Sequence, residues 1–284
     1  VVSITTTGST FLVSLVETLT GDVGTDVIAL GSGGSTLRAS SLDTLIGSAA
    51  TDVVTLTSLG STLLVSLIET LTGTLAGTDV ITLGSAGSTL LANNLDTLTG
   101  GVGTDFVTLT ATGNTLELRG VETLVGGAAT DVVTLAGSGV TVILRGVETL
   151  IGAAGTDVIT IGDTGTTFQV SSIDTLVGGA GTDVVSLTTT GSTFLVSLVE
   201  TLTGGVGTDV ITLGGSGNTL TINGVDTLVG GAGTDFVWLG SAGSTLQLTL
   251  VETLVGGAGT DVVALGGSGS TIILRGIETL TGTA

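Results

Sequence analysis

The chain has 284 residues, 50 of them Gly, and contains no Pro, Cys, Met, His, Lys or Tyr. Its four cationic side chains, all Arg, stand against 24 Asp and Glu, a formal charge of −20 that repels phosphate and excludes nucleic acid as a partner. Without His, Cys or Lys there is no imidazole base, thiolate, zinc-thiolate site, Schiff base or P-loop, so carboxylates, hydroxyls and backbone are the only chemistry left.

The apolar residues are almost all Val, Leu, Ile and Ala, since aromatics make up only 2%. Gly, Ser, Thr or Asp interrupts every apolar run well short of the ~20 residues that a membrane helix needs, so no membrane span is expected. The chain begins with neither Met nor a basic, apolar leader, and it reads as a processed product or as a segment of something longer. The lack of Cys, the acidity and the Gly content fit an extracellular setting.

Along the chain a Thr-Asp pair recurs at Asp26, Asp52, Asp79, Asp105, Asp131, Asp157, Asp183, Asp209, Asp235 and Asp261, in steps of 26 broken once by a step of 27. In phase with it, a Glu/Asp-Thr-Leu series runs through Glu17, Asp43, Glu69, Asp96, Glu122, Glu148, Asp174, Glu200, Asp226, Glu252 and Glu278. The two series hold 21 of the 24 acidic residues, so the charge is organised in rows. The alternation of Glu and Asp in the second series itself repeats every five units, the mark of a block duplicated whole.

Each repeat predicts three short strands between turns. Asp209 to Leu213 leads into the turn Gly214 to Asn218, followed by Thr219 to Ile222, then Val225 to Leu228, then the next Gly-rich turn. In the middle run Phe11, Leu37, Leu63, Leu90 and Leu116 alternate with Leu12, Arg38, Leu64, Leu91 and Glu117. The second set accepts charge and points out, while the first points in. Three such strands cannot bury a face alone, but stacked repeats can. The expected fold is therefore all-β, a single β-solenoid domain over residues 1–284 with about eleven 26-residue coils, one repeat to a coil. In that arrangement Thr10, Thr36 and Thr62, like Thr18, Thr44 and Thr70, form hydroxyl ladders along the stack. Each acidic series becomes a row of charges about 4.8 Å apart, repelling by roughly 0.9 kcal/mol per neighbouring pair in water. Arg119, Arg145 and Arg275 are placed to serve only part of the Glu row.

The turns carry a motif. Gly100 to Asp105, Gly178 to Asp183, Gly204 to Asp209, Gly230 to Asp235 and Gly256 to Asp261 all read G-G-x-G-x-D, with an apolar residue two positions on. This resembles the nonapeptide of repeats-in-toxin (RTX) proteins, and the resemblance implies Gly-rich turns that bind calcium through the Asp carboxylate and turn carbonyls. The metal candidates are Asp105, Asp183, Asp209, Asp235 and Asp261 at complete turns, then Asp26, Asp52, Asp79, Asp131 and Asp157 at degenerate ones. Gly126 to Asp131 lacks the third Gly, Gly47 to Asp52 lacks two, and the turn before Asp79 has an insertion. A capping role without metal is the alternative, since a turn Asp can accept its own loop's N–H groups. The Glu series reads as a solvated or Arg-paired edge.

With no inserted loop there is no place for a unique active site, so no enzyme is expected and function falls to the repeated surface or the ends. The residue after each Thr-Asp Asp is always Val or Phe, an outward apolar ribbon of the kind a partner covers. Neither terminal coil carries polar capping, which points to self-association end to end or laterally. The function these features imply is a structural bacterial extracellular or cell-surface protein: an adhesin stalk, a surface-layer element or a self-assembling filament, stabilised by calcium. The alternative is an ice-binding protein that uses the outward Thr55, Thr82, Thr108, Thr134, Thr160 and Thr212 beside the Val row, a series interrupted by Ala29, Trp238 and Ala264.

Overall fold

The computed structural model describes the chain except residues 6, 9, 85, 111, 189, 190, 241, 268–270, 283 and 284. Among the described residues there are 33 short strands and no helix. The three strands expected of each repeat all form, for example Val53–Leu56, Thr62–Ser66 and Thr70–Thr72. Alternation holds within them: in Val53–Leu56 the half-buried Val53 and Thr55 face out while Val54 and Leu56 are buried.

The winding differs from the expected one. Each strand pairs, in parallel, with the strand two further along the chain rather than three. One sheet runs Thr36–Ser40, Val53–Leu56, Thr70–Thr72, Thr89–Asn93. The facing sheet runs Val27–Leu30, Thr44–Ile46, Thr62–Ser66, Val80–Leu83. A coil therefore holds two strands, not three. The eleven coils of 26 residues are corrected to about 16 coils of roughly 17, and two repeats make three coils. The physical reason is that two apolar sheets facing each other already bury both inward faces, so the chain closes a coil after every second strand and the three-strand repeat falls out of phase with it.

The chain divides into two compact units, Val1–Ala136 with Arg145–Val147, and Gly137–Leu144 with Glu148–Ala284, and each has this same parallel winding. In both, the core is a column of inward Leu, Val and Ile such as Ile28, Leu45, Leu63, Ile159, Leu176 and Leu228. Register steps of 17 residues (Thr36↔Val53, Val53↔Thr70) alternate with a longer one (Thr18↔Arg38), where a three-residue strand meets the third position of a five-residue strand.

This winding sends equivalent residues of successive repeats to opposite sheets. The Thr36 and Thr62 strands lie in different sheets, as do those of Val27 and Val53, so neither the Thr ladders nor the Val/Phe ribbon run unbroken. Thr55 and Thr108 lie in one sheet and Thr82 in the other, which removes the single Thr face that ice binding would need.

The turn between the second and third strands is tight and always has one left-handed residue. Gly takes that place at Gly120, Gly146, Gly224 and Gly276, but Leu15, Ser41, Leu67, Asn94, Ser172, Leu198 and Leu250 also adopt it with φ between 50° and 58°. The conformation puts the next residue, such as Leu42 or Ile68, into the core. For a Leu it costs about 1 kcal/mol, and Leu67 is 57% exposed, so its side chain recovers little by packing. Leu67→Asn, which copies the Asn94 turn, is therefore expected to stabilise the protein by about 0.5–1 kcal/mol in urea unfolding. A destabilised variant would mean that the Leu side chain earns its place by contacts.

Candidate metal and capping site

The ten candidate Asp residues sit at one equivalent place, the last position of the turn between the third strand of one repeat and the first strand of the next. All ten are fully buried. In every one, Oδ2 accepts the N–H at the start of its own turn. Examples are Gly101 to Asp105 (2.9 Å), Gly179 to Asp183 (2.8 Å), Gly205 to Asp209 (2.8 Å), Gly231 to Asp235 (2.9 Å) and Gly257 to Asp261 (2.7 Å). The degenerate turns make the same bond: Asp22 to Asp26, Ser48 to Asp52, Thr74 to Asp79, Gly127 to Asp131 and Ala153 to Asp157. The donor is backbone, so the second and third Gly are not needed for it.

Oδ1 reaches a different coil. From Asp52 onward it accepts an N–H from the turn 17 residues earlier, 18 at Asp79, as from Ser35 to Asp52 (2.7 Å), Ser88 to Asp105 (2.8 Å) and Ser244 to Asp261 (2.9 Å). At Asp131 and Asp235 the Asn side chains of Asn114 and Asn218 add a second bond to the same oxygen. The Asp main chain reaches the other way. Asp52 N–H donates to Glu69 Oε2, Asp183 N–H to Glu200 Oε2 and Asp209 N–H to Asp226 Oδ2, each at 2.8 Å. One Asp thus ties together three consecutive coils. The capping role foreseen for it extends beyond its own loop.

The second acidic series is accordingly more than a solvated edge: Asp43, Asp174 and Asp226 are exposed, yet its carboxylates serve as acceptors for buried turns. Its carboxylates lie 17 residues after the Asp they serve and accept that residue's N–H, from Asp43 on Asp26 through Glu278 on Asp261. That constant spacing was present in the sequence and is the signal that finds both the coil length and this role. Arg119, Arg145 and Arg275 end their strands, where their carbonyls accept the N–H of Gly100, Gly126 and Gly256.

The charge rows also change. The two series share each edge of the solenoid: an Asp, a second-series carboxylate one coil on, then a coil whose turn supplies N–H donors, as in Asp52, Glu69 and Ser88. Members of the Thr-Asp series on one edge are three coils apart, about 14 Å at the usual rung spacing, rather than in contact on every rung.

These features define the class: a parallel β-solenoid whose Gly-rich turns each present one buried Asp, with a coil of roughly 17 residues, close to two nonapeptides. Residues 171–187 and 222–245 match the family model of the RTX calcium-binding nonapeptide repeat, in four copies. No curated protein and no solved structure matches the chain. Together with the fold, the family match supports an RTX-like repeat β-solenoid, and the matched repeats support calcium binding. Both matched segments contain a complete turn, ending in Asp183 and Asp235.

The donor chemistry suits calcium. A carboxylate has about four lone-pair positions, and most of these Asp carboxylates give two of them to N–H groups, leaving acceptor capacity on both oxygens. Among the described residues no three acidic side chains converge. An ion that takes six to eight oxygens would therefore complete its shell with turn carbonyls and water. The acidic ligand would be the Asp of a complete turn, such as Asp183 or Asp235; its second-series partner meets it through the Asp main-chain N–H, at Glu200 and Glu252. When bound, calcium would supply positive charge to that Asp carboxylate.

Proposed function

We propose that this protein is a structural, calcium-binding repeat element of the cell surface or the extracellular space, built to assemble with copies of itself rather than to catalyse a reaction. The carrying observation is the repeated site: the same Asp arrangement recurs in every coil group, with no inserted loop to distinguish one copy as a catalytic centre. Millimolar calcium outside cells suits weak, hydrated sites of this kind. No helix among the described residues is long and apolar enough to cross a membrane.

Each strand pairs in parallel with a strand of the neighbouring coil, so a coil of a second copy offers a hydrogen-bonding edge and an apolar face of the same shape. A heterologous contact of that kind does not close, so its product grows as a filament, the form suited to a stalk or a surface layer. Sedimentation velocity over a concentration series in calcium tests this. Species larger than the monomer, increasing with concentration, are expected; a strict monomer at high concentration would remove self-assembly from the reading.

A further inference from the structure

We propose that calcium is not what keeps this solenoid folded: its turns are closed by the chain's own N–H groups, and bound calcium is an addition to a scaffold already formed. The inference rests on the reading of these repeats as calcium-binding and concerns what the ion does there.

Three observations carry it. First, the demand that a cation would meet at a buried carboxylate is met by backbone. Asp235 accepts from Gly231 N–H, Asn218 N–H and Asn218 Nδ2, and its own N–H is taken by Glu252. Second, complete and degenerate turns are built alike. Asp52, in a turn lacking two of the three Gly, holds Ser48 N–H on one oxygen and Ser35 N–H on the other, as Asp261 holds Gly257 and Ser244. Closing a turn on its Asp therefore depends on backbone N–H groups that both kinds of turn possess, and not on the complete motif. Third, the carboxylates are spaced to limit repulsion. They occur in pairs on adjacent coils, and the next coil of the edge contributes N–H donors, from Ser88 after Asp52 and Glu69 and from Asn114 after Asp79 and Asp96. Long unbroken rows that could stand only with counter-ions are not formed. Beneath the turns, each unit has a core of inward Leu, Val and Ile that needs no ion.

The test uses the whole chain, stripped with chelator and dialysed, and split for two measurements. Circular dichroism and thermal melting are recorded in chelator and in millimolar calcium, and calorimetric titration with calcium chloride is run on the stripped sample. The expected result is an unchanged β-sheet signal in chelator, a melting temperature within about 5 °C of the calcium value, and saturable calcium heat. A chain that is unfolded in chelator and regains its β-sheet signal on adding calcium overturns the inference while leaving the calcium-binding reading intact. A folded chain that takes up no calcium supports the self-closed scaffold and overturns the calcium-binding reading instead.

Discussion

Asp235→Ala is expected to destabilise its part of the solenoid by about 3–5 kcal/mol, because two buried backbone N–H groups from different coils lose their acceptor and each stranded donor costs about 1–3 kcal/mol, more when the lost partner is charged. The donors are Gly231 N–H at 2.9 Å and Asn218 N–H at 2.8 Å. Asn218 Nδ2 is spared part of the loss, since it also donates to the Gly214 carbonyl. Asp235→Asn keeps one acceptor but turns an amide NH2 toward an N–H, so about half the loss is expected. The matched control is Asp226→Ala. Asp226 is exposed and accepts one N–H, from Asp209, so its removal is expected to cost no more than about 1 kcal/mol. Each coil contacts only its neighbours, so unfolding can be local. The readout is therefore the fluorescence of Trp238, the single Trp of the chain and three residues from Asp235. A urea midpoint for Asp235→Ala equal to that of the parent would show that the carboxylate is not the tie between coils.

How much of this was legible in the sequence follows from what a repeat encodes. The strand triplets, the inward and outward sides of Leu37 and Arg38, and the Asp-bearing turns were all readable, because each depends on alternation or turn chemistry within a few residues. Coil length is not legible in this way, because it depends on which strand a strand pairs with and not on the length of the repeat. Two strands already close the apolar faces, so the third strand of each repeat begins the next coil. From that one difference follow the division of the Thr and Val rows between two sheets and the pairing of Asp52 with Glu69 on adjacent coils. The 17-residue step from each Thr-Asp Asp to its second-series partner carried the answer, but it looks like an arbitrary offset until the coil is known to have that length. The Gly-rich turns were legible as a motif. Which of their Gly residues the fold requires was not, because the requirement comes from the neighbouring coil.

That requirement sets the second large effect. The first Gly of the Gly-rich turn is held by close approach rather than by a left-handed backbone. In ten successive turns, at Gly21, Gly47, Gly73, Gly100, Gly126, Gly152, Gly178, Gly204, Gly230 and Gly256, a methyl group would run into the carbonyl oxygen of the left-handed residue of the following coil. At Gly230 the obstacle is the Leu250 carbonyl, and Asp235 Oδ2 stands 2.9 Å from the same point. Neither can move aside cheaply, since one is backbone in a tight turn and the other is fixed by the N–H groups it accepts. Gly230→Ala must therefore push two coils apart or break the Gly230 N–H bond to the Thr249 carbonyl, and a loss of about 3 kcal/mol or more is expected, the scale of severe overpacking together with a lost buried hydrogen bond. Gly215 provides the contrast within the same repeat: a methyl there meets nothing within 4 Å, so Gly215→Ala is expected to be neutral or to stabilise by up to about 1 kcal/mol through a less flexible unfolded chain. The two variants add the same atom to the same kind of residue, so composition and propensity cannot separate them. If urea unfolding of both follows the parent curve, coils in this solenoid are not packed at carbonyl-to-Cα distance, and the tie between the Asp turn and the coil above it would have to be looser than described.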